Sequence, residues 1–328
     1  MRALVYTGPE AMEHREAPDP VPGPGEALVR VDHVGICGSD MHAYLGHDDR
    51  RPAPLILGHE AAGEVIAWPG AERRVTVNPL VTCRTCEDCR MGRENLCAGR
   101  QIISMPPREG AFADLVAIPL ANLVDVPDGV PTEKAALAEP VACGWHAVRL
   151  ARRALRRPIG EARCLVFGGG AIGLGAALVL AEAGAAEIRL AEPNEARRKI
   201  VAAAGPFEAF DPADGVPERV DLVVDGVGIE ATRAAASAAV RPGGVIVHIG
   251  LGSAVGGLDI RRMTLQEVTF IGTYTYAAQD FRDTAAAIFD GRLGPLDWAE
   301  VRPLSEGARA FADIRAGRVA APKIMLAP

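Results

Sequence analysis

The alternation of apolar and polar positions changes character near residue 131. Before that point, short apolar stretches are broken by turn residues. "ALVRVDHV" (27–34) alternates closely enough for a half-buried strand, and the Pro/Gly stretch "PDPVPGPGE" (18–26) before it reads as a loop. "GHEAAGEVIAW" (58–68), "RRVTVNPL" (73–80) and "GAFADLVAIP" (110–119) are further strand material. This first part is expected to be β-rich, all-β or α+β. From 131, "PTEKAALAEPVACGWHAVRLARRAL" has helical spacing interrupted by Pro140. From 164, strands (164–167, 187–191, 221–226, 244–250, 268–274) alternate with helices (172–184, 194–204, 230–239). That order predicts an α/β fold with a parallel, doubly wound Rossmann sheet. The tail, 278–328, is expected to hold two helices and a final short strand, "KIMLAP".

The run "CLVFGGGAIGLGAALVLA" (164–181) carries no charge, and its length alone would permit a short membrane span. Five glycines and the surrounding strand–helix alternation argue against one. The 328 residues suggest one large or two ordinary domains, and 49% apolar with 23% charged residues is ordinary globular composition. The net charge of −7 speaks against nucleic acid as a partner. "MRALVYTGPE" lacks an apolar signal core, so the expected location is cytoplasmic. Five of the seven cysteines precede residue 100, and in a reducing compartment such clusters are expected to bind metal.

Gly168-x-Gly170-x-x-Gly173 follows a predicted strand and opens a predicted helix. Gly168 permits the tight turn, Gly170 lets the backbone approach a pyrophosphate, and Gly173 lets helix and strand pack closely. A carboxylate is due about 20 residues later to accept from the adenine ribose, and Glu192 stands there. Glu192 favours NAD over NADP, whereas Arg197 and Arg198 could reach a 2′-phosphate. The competing account is a glycine turn without a ligand.

Cys83, Cys86, Cys89 and Cys97 are spaced C-x2-C-x2-C-x7-C, as a closed structural zinc site would require. An iron–sulfur cluster and a redox C-x-x-C pair are the alternatives. A catalytic metal needs a second, open site. Cys37 in "GICGSDMHAYLG" and His59 and Glu60 in "LILGHEAAG" offer thiolate, imidazole and carboxylate, although each alone would pass as core packing. Glu139, Cys143 and His146 form a rival set on one helix face, which otherwise packs between domains.

"GICGSDMH", "LGHEAAGEV", the four cysteines, "LAEPVACGWHAV", "VFGGGAIGL" and "FIGTYTYAAQDF" stand in the order found in one family. Over nearly its whole length the chain resembles the zinc-dependent medium-chain dehydrogenases, and among them the polyol branch, whose best-known member is sorbitol dehydrogenase. The resemblance implies a GroES-like catalytic domain (1–144, zinc lobe about 80–100), a dinucleotide-binding Rossmann domain (145–278) and a return to the catalytic domain (279–328). It implies two zinc ions per chain and NAD. Cys37, His59 and Glu60 would hold the catalytic zinc, with Glu139 approaching from the other side, directly or through water. Ser39 and His42 would relay the alcohol proton. Cys83, Cys86, Cys89 and Cys97 would hold the structural zinc. Gly168, Gly170, Ile172, Gly173, Glu192 and Arg197 would bind the cofactor, and Cys143 and His146 would face the cofactor or the core.

The implied reaction interconverts a secondary alcohol and its ketone by hydride transfer. A vicinal diol or sugar alcohol is the expected substrate. L-threonine 3-dehydrogenase and butanediol dehydrogenase look similar at these motifs. Tyr44 and 108–112 are expected to line the pocket, with Tyr274 and Tyr276 near the cofactor or the cleft. Arg50, Arg51 and Arg108 would suit a phosphorylated polyol if they flank the mouth; otherwise they only solvate loops. A zinc-free quinone or enone reductase would not need Cys37, His59 and Glu60 together. A non-catalytic nucleotide-binding module would be expected to lack a ligand or a relay residue. The segment "AWPGAERRVTV" (67–77) is shorter than the family's and lacks its usual Gly-Asp pair. The edge "VTFIGTY" is expected to pair in a homodimer or homotetramer. One thiolate and one carboxylate nominally cancel a dication, so Glu60 is expected to be exchangeable.

Overall fold

The computed structural model describes residues 1–67 and 72–328, so the short connection at 67–77 lies partly outside the described residues. One sheet is wholly parallel, with six strands in the spatial order Glu208–Phe210, Glu187–Ala191, Arg163–Phe167, Val220–Asp225, Val240–His248, Thr269–Gly272. Counted along the chain this is 3-2-1-4-5-6, the doubly wound arrangement. The two central strands are covered on both faces, and their sequences are accordingly near-continuous apolar runs. Reversal of strand order between them opens a crevice at their carboxyl ends. The strand Glu208–Phe210 is too short for periodicity to reveal, and Val240–His248 begins earlier than its apolar run suggests.

The second sheet has seven strands and is centred on Glu26–Gly35. That strand pairs antiparallel with Glu60–Ala67, with Leu115–Pro119 along its first half, and with Lys323–Ala327 at its end. The tail thus returns to the N-terminal sheet, and its Ile324 and Leu326 join that core. The tail helix Gly307–Arg315 sets Phe311 against Tyr44, with ring centroids 5.2 Å apart, and edge-on to Phe112 at 5.9 Å. All three rings are buried. Tyr44 and Phe112 therefore belong to the core and not to a substrate pocket, because Phe311 closes over them and completes an aromatic cluster.

The helical stretch breaks at Leu137, between Thr132–Ala136 and Ala138–Ala154. Pro140 falls in the first turn of the second helix, where its missing N–H leaves no bond unmade. The boundary drawn at 144/145 falls inside this helix, which packs on the glycine-turn helix Ala171–Glu182 and also reaches the strand Glu60–Ala67. The uncharged run 164–181 is a strand, a turn and part of that glycine-turn helix, and no described helix is long and apolar enough to cross a membrane.

Candidate active site

Cys37 lies just beyond the strand Glu26–Gly35 and opens the helix Gly38–Tyr44. His59 and Glu60 stand at the start of the neighbouring strand. Pairing of Gly35 with Glu60 brings the two segments together, and one ligand atom from each of Cys37, His59 and Glu60 lies within 4.8 Å of the others. Gly35 is needed here, because a Cβ would sit 2.0 Å from Glu60 Oε2.

The donors are held from behind. Asp40 is fully buried; its Oδ2 accepts from Cys37 N at 2.9 Å, and its Oδ1 accepts from Gly58 N at 3.3 Å. His59 Nδ1 lies 3.5 Å from Asp40 Oδ1 and 3.2 Å from Ser104 Oγ, which leaves Nε2 clear of them, 3.5 Å from Ser39 Oγ. This is the arrangement that orients a metal-binding imidazole. Burial lowers the affinity of His59 for a proton, but Asp40 and Cys37 outweigh it and raise the imidazole well above its ordinary range. Lys323, buried on the tail strand, donates to Glu60 Oε1 at 2.6 Å and to Ile36 O at 2.9 Å. Burial opposes its charge, but Glu60 and Cys37 raise its pKa above the usual lysine value. Glu60 Oε2 is buried without a partner among the described residues. An orphaned carboxylate oxygen beside a thiol and an imidazole suits zinc.

Glu139 is not in that group. Its Oε1 accepts from Tyr276 OH at 2.8 Å. Burial raises its carboxyl to about 7, with Glu60 adding to the effect and His59 opposing it. The rival face separates: Cys143 stays near Glu139, its thiol raised first by burial and then by that carboxylate. His146 Nδ1 instead lies 2.7 Å from Asp280 Oδ2 on the helix Ala278–Phe289. Ser39 and His42 are three residues apart on Gly38–Tyr44 and share a face.

The four clustered cysteines have sulfur atoms within 4.8 Å of one another, with Cys83–Cys89 at 3.9 Å and Cys97–Cys83 at 3.5 Å. Tetrahedral zinc with Zn–S of about 2.3 Å has S–S edges of about 3.8 Å, so the set fits that ion. The backbone N–H groups of Thr85 and Cys86 lower the Cys83 thiol to about 6.

Arg50, Arg51 and Arg108 are all committed. Arg50 and Arg51 pair with Asp48, Arg51 also donates to Ser104 O at 3.0 Å, and Arg108 pairs with Glu26. Arg51 is buried rather than solvating a loop. Tyr274 packs on Arg100, and Tyr276 on Glu139.

A cavity of about 680 Å³ runs from Cys37 and Glu60 to the glycine turn, and Ile172, Glu192 and Arg197 are on its wall. Gly168 has φ +97°, and a Cβ on Gly173 would lie 1.9 Å from Gly168 O. A Cβ on Gly170 would meet nothing within 4 Å, leaving space against the backbone for a ligand. Glu192 Oε2 accepts from Gly169 N and its Oε1 from Asn194 N, each at 2.8 Å. Arg197 donates to Val319 O and Ala320 O, while Arg198 donates to Glu192 O and pairs with Asp211.

A family model described as the alcohol dehydrogenase GroES-like domain matches residues 23–128, and one described as zinc-binding dehydrogenase matches 171–290. The chain is 32% identical to L-galactonate-5-dehydrogenase of Escherichia coli (strain K12) over 309 residues, covering 89% of this chain and 88% of that one. It is 30% identical to sorbitol dehydrogenase of Ovis aries over 294 residues, covering 84% and 82%. The solved structure of a Sinorhizobium meliloti 1021 protein bound to NADP superposes with a TM-score of 0.88 at 26% identity, covering 100% of this chain and 99% of that one.

Proposed function

The chain belongs to the zinc-dependent medium-chain dehydrogenases, in their polyol branch, and on that premise we propose that it oxidises a secondary hydroxyl of an unphosphorylated polyol or sugar acid with NAD. As a member it interconverts an alcohol and its ketone with a nicotinamide cofactor. One observation carries the proposal: a single cavity joins the Cys37, His59, Glu60 cluster to the glycine turn, so alcohol carbon and nicotinamide can meet in it. Cys37, His59 and Glu60 would hold zinc, which when bound would supply Lewis acidity toward the substrate hydroxyl. Ser39 Oγ accepts the hydroxyl proton while releasing its own toward His42, which hands it on to solvent. The amides of the glycine turn receive the pyrophosphate, and Glu192 accepts from the adenine ribose. Arg197 and Arg198 spend donors on carbonyls and carboxylates, which supports NAD over NADP. The pairing of Arg50, Arg51 and Arg108 with carboxylates supports a substrate without phosphate. We place the subunit contact at the edge strand Thr269–Gly272, where Phe270 and nearby Leu265 are exposed.

The test is a spectrophotometric screen for NADH and NADPH formation. Polyols, sugar acids, polyol phosphates, butanediols and L-threonine are offered, with and without a chelator. Chelator-sensitive turnover of a polyol or sugar acid with NAD is the expected result. Turnover confined to polyol phosphates, butanediol or L-threonine would overturn the substrate class.

A further inference from the structure

We propose that the cysteine lobe positions the Tyr276 hydroxyl on Glu139, with Asn95 and Arg100 as the positioning residues. The inference rests on the alcohol site being where the preceding section puts it. Tyr276 is 1% exposed and belongs to a segment that leaves the parallel sheet. Its hydroxyl donates at 2.8 Å to Glu139, a buried carboxylate on the helix Ala138–Ala154, which also reaches the strand that carries Glu60. The segment does not hold itself in place. Thr275, between the two tyrosines, has φ +46°, a backbone region that β-branched residues avoid, and its Oγ1 is buried without a partner. A strained residue persists only where its surroundings over-determine it.

The surroundings come from the lobe. Buried Asn95 donates from Nδ2 to Tyr274 O at 2.8 Å. The Arg100 guanidinium lies 4.9 Å from the centre of the Tyr274 ring, and its Nη1 donates to Cys97 O at 3.0 Å, tying it to the backbone of one of the four cysteines. Glu94 Oε2 accepts from Ala278 N at 3.4 Å. Contacts before and after Thr275 thus come from 94–100, and Tyr276, whose hydroxyl meets Glu139, lies between them. A lobe that only stapled its own loop would have no need of a buried asparagine aimed at another domain's carbonyl.

The test uses the zinc-loaded enzyme labelled with 3-fluorotyrosine. The chain has four tyrosines, so four fluorine resonances arise, each assigned by a Tyr→Phe variant. Asn95→Asp keeps size and removes the donor; Arg100→Leu removes the contact with the ring and guards against a misfolded first variant. A shift of the Tyr276 resonance in either variant, with those of Tyr6 and Tyr44 unmoved, is the expected result. A Tyr276 resonance unmoved in both overturns the proposal. This readout needs no turnover, so a mistaken substrate and a mistaken brace give different results. On a turned-over alcohol, kcat in Asn95→Asp is expected to fall about fivefold, the size of one lost hydrogen bond. Tyr276→Phe should lose as much and the double variant no more. Losses that multiply would overturn it as well.

Discussion

Gly144→Ala tests how the long helix and the glycine-turn helix set the cofactor site. Helix propensity alone makes this change favourable by about 1 kcal/mol. The packing says the opposite. A Cβ on Gly144 would stand 2.7 Å from Ala176 N, 2.8 Å from Ala176 Cα and 3.0 Å from Gly175 C. All are backbone atoms of Ala171–Glu182 and cannot rotate away. Ordinary contact is about 3.5 Å or more, so the helices must part by about 0.8 Å. Forcing an extra carbon into such an interface costs about 1–3 kcal/mol, and against rigid backbone the upper part of that range applies, leaving a net loss of up to about 2 kcal/mol after the propensity gain. The displaced helix is the one whose first turn carries Gly170 and Gly173, so the anion-binding amides move with it. A shift of that size is expected to cost on the order of tenfold to a hundredfold in turnover. Urea unfolding followed by circular dichroism gives the first number, NADH fluorescence titration tracks the moved amides, and steady-state kinetics give the second. A variant as stable as the parent, with unchanged NADH affinity, would refute the reasoning.

Asp280 accepts from Ala277 N, Arg149 and His146, and although burial alone would raise its carboxyl, the bonds from His146 and Arg149 bring it to about 2. A depressed folded pKa gives stability that is full above the unfolded value and lost as pH falls through the folded one. Between about pH 4 and pH 2 the parent should therefore lose about 2 kcal/mol that Asp280→Asn never had; chemical unfolding of both across that window checks it, and parallel pH profiles would sink it. Cys89→Ser should reduce bound zinc from about two ions per chain to about one, read by elemental analysis, with a lower unfolding temperature. Unchanged zinc content would exclude the lobe as a metal site. Thr275→Gly relieves a left-handed β-branched residue and deletes an unpartnered hydroxyl, and should stabilise the fold by about 1 kcal/mol after the entropy cost of glycine. A lower unfolding midpoint would show the conformation is not strained.

What was legible in the sequence obeys short-range rules. The parallel sheet shows as covered apolar runs separated by helices. The glycine turn shows because its constraints lie within six residues, Gly168 to Gly173. The four cysteines show because a loop of fifteen residues can close on one ion. Asp40 carries only a faint local signal, three residues after Cys37 in a capping position. What was illegible depends on residues far apart. Phe311 covers Tyr44 and Phe112, so two aromatics that look like pocket residues are core. Tyr276 meets Glu139 across 137 positions and Arg108 meets Glu26 across 82, whereas the Asp48 partner of Arg50 and Arg51 stands only two and three positions away and was a local signal.

Lys323 shows why the distance matters for chemistry. Counting ligands in the sequence, the charges of Cys37 and Glu60 cancel a dication, and Glu60 then has to leave for the metal to polarise an alcohol. The fold puts Lys323, 263 positions away, against Glu60 at 2.6 Å. The set of metal, Cys37, Glu60, Asp40 and Lys323 is then neutral with Glu60 in place, where without Lys323 it would be negative. Lys323→Met reverses the arithmetic. Without metal, it leaves Glu60 as an unpaired buried carboxylate, a loss of about 3–5 kcal/mol. With metal, Glu60 has no competing cation, so zinc should bind more tightly while turnover falls. Competition with a chelating dye measures the first and steady-state kinetics the second. Zinc affinity and turnover both unchanged would mean that Lys323 is only a strand residue and that the charge balance lies with Glu60 alone.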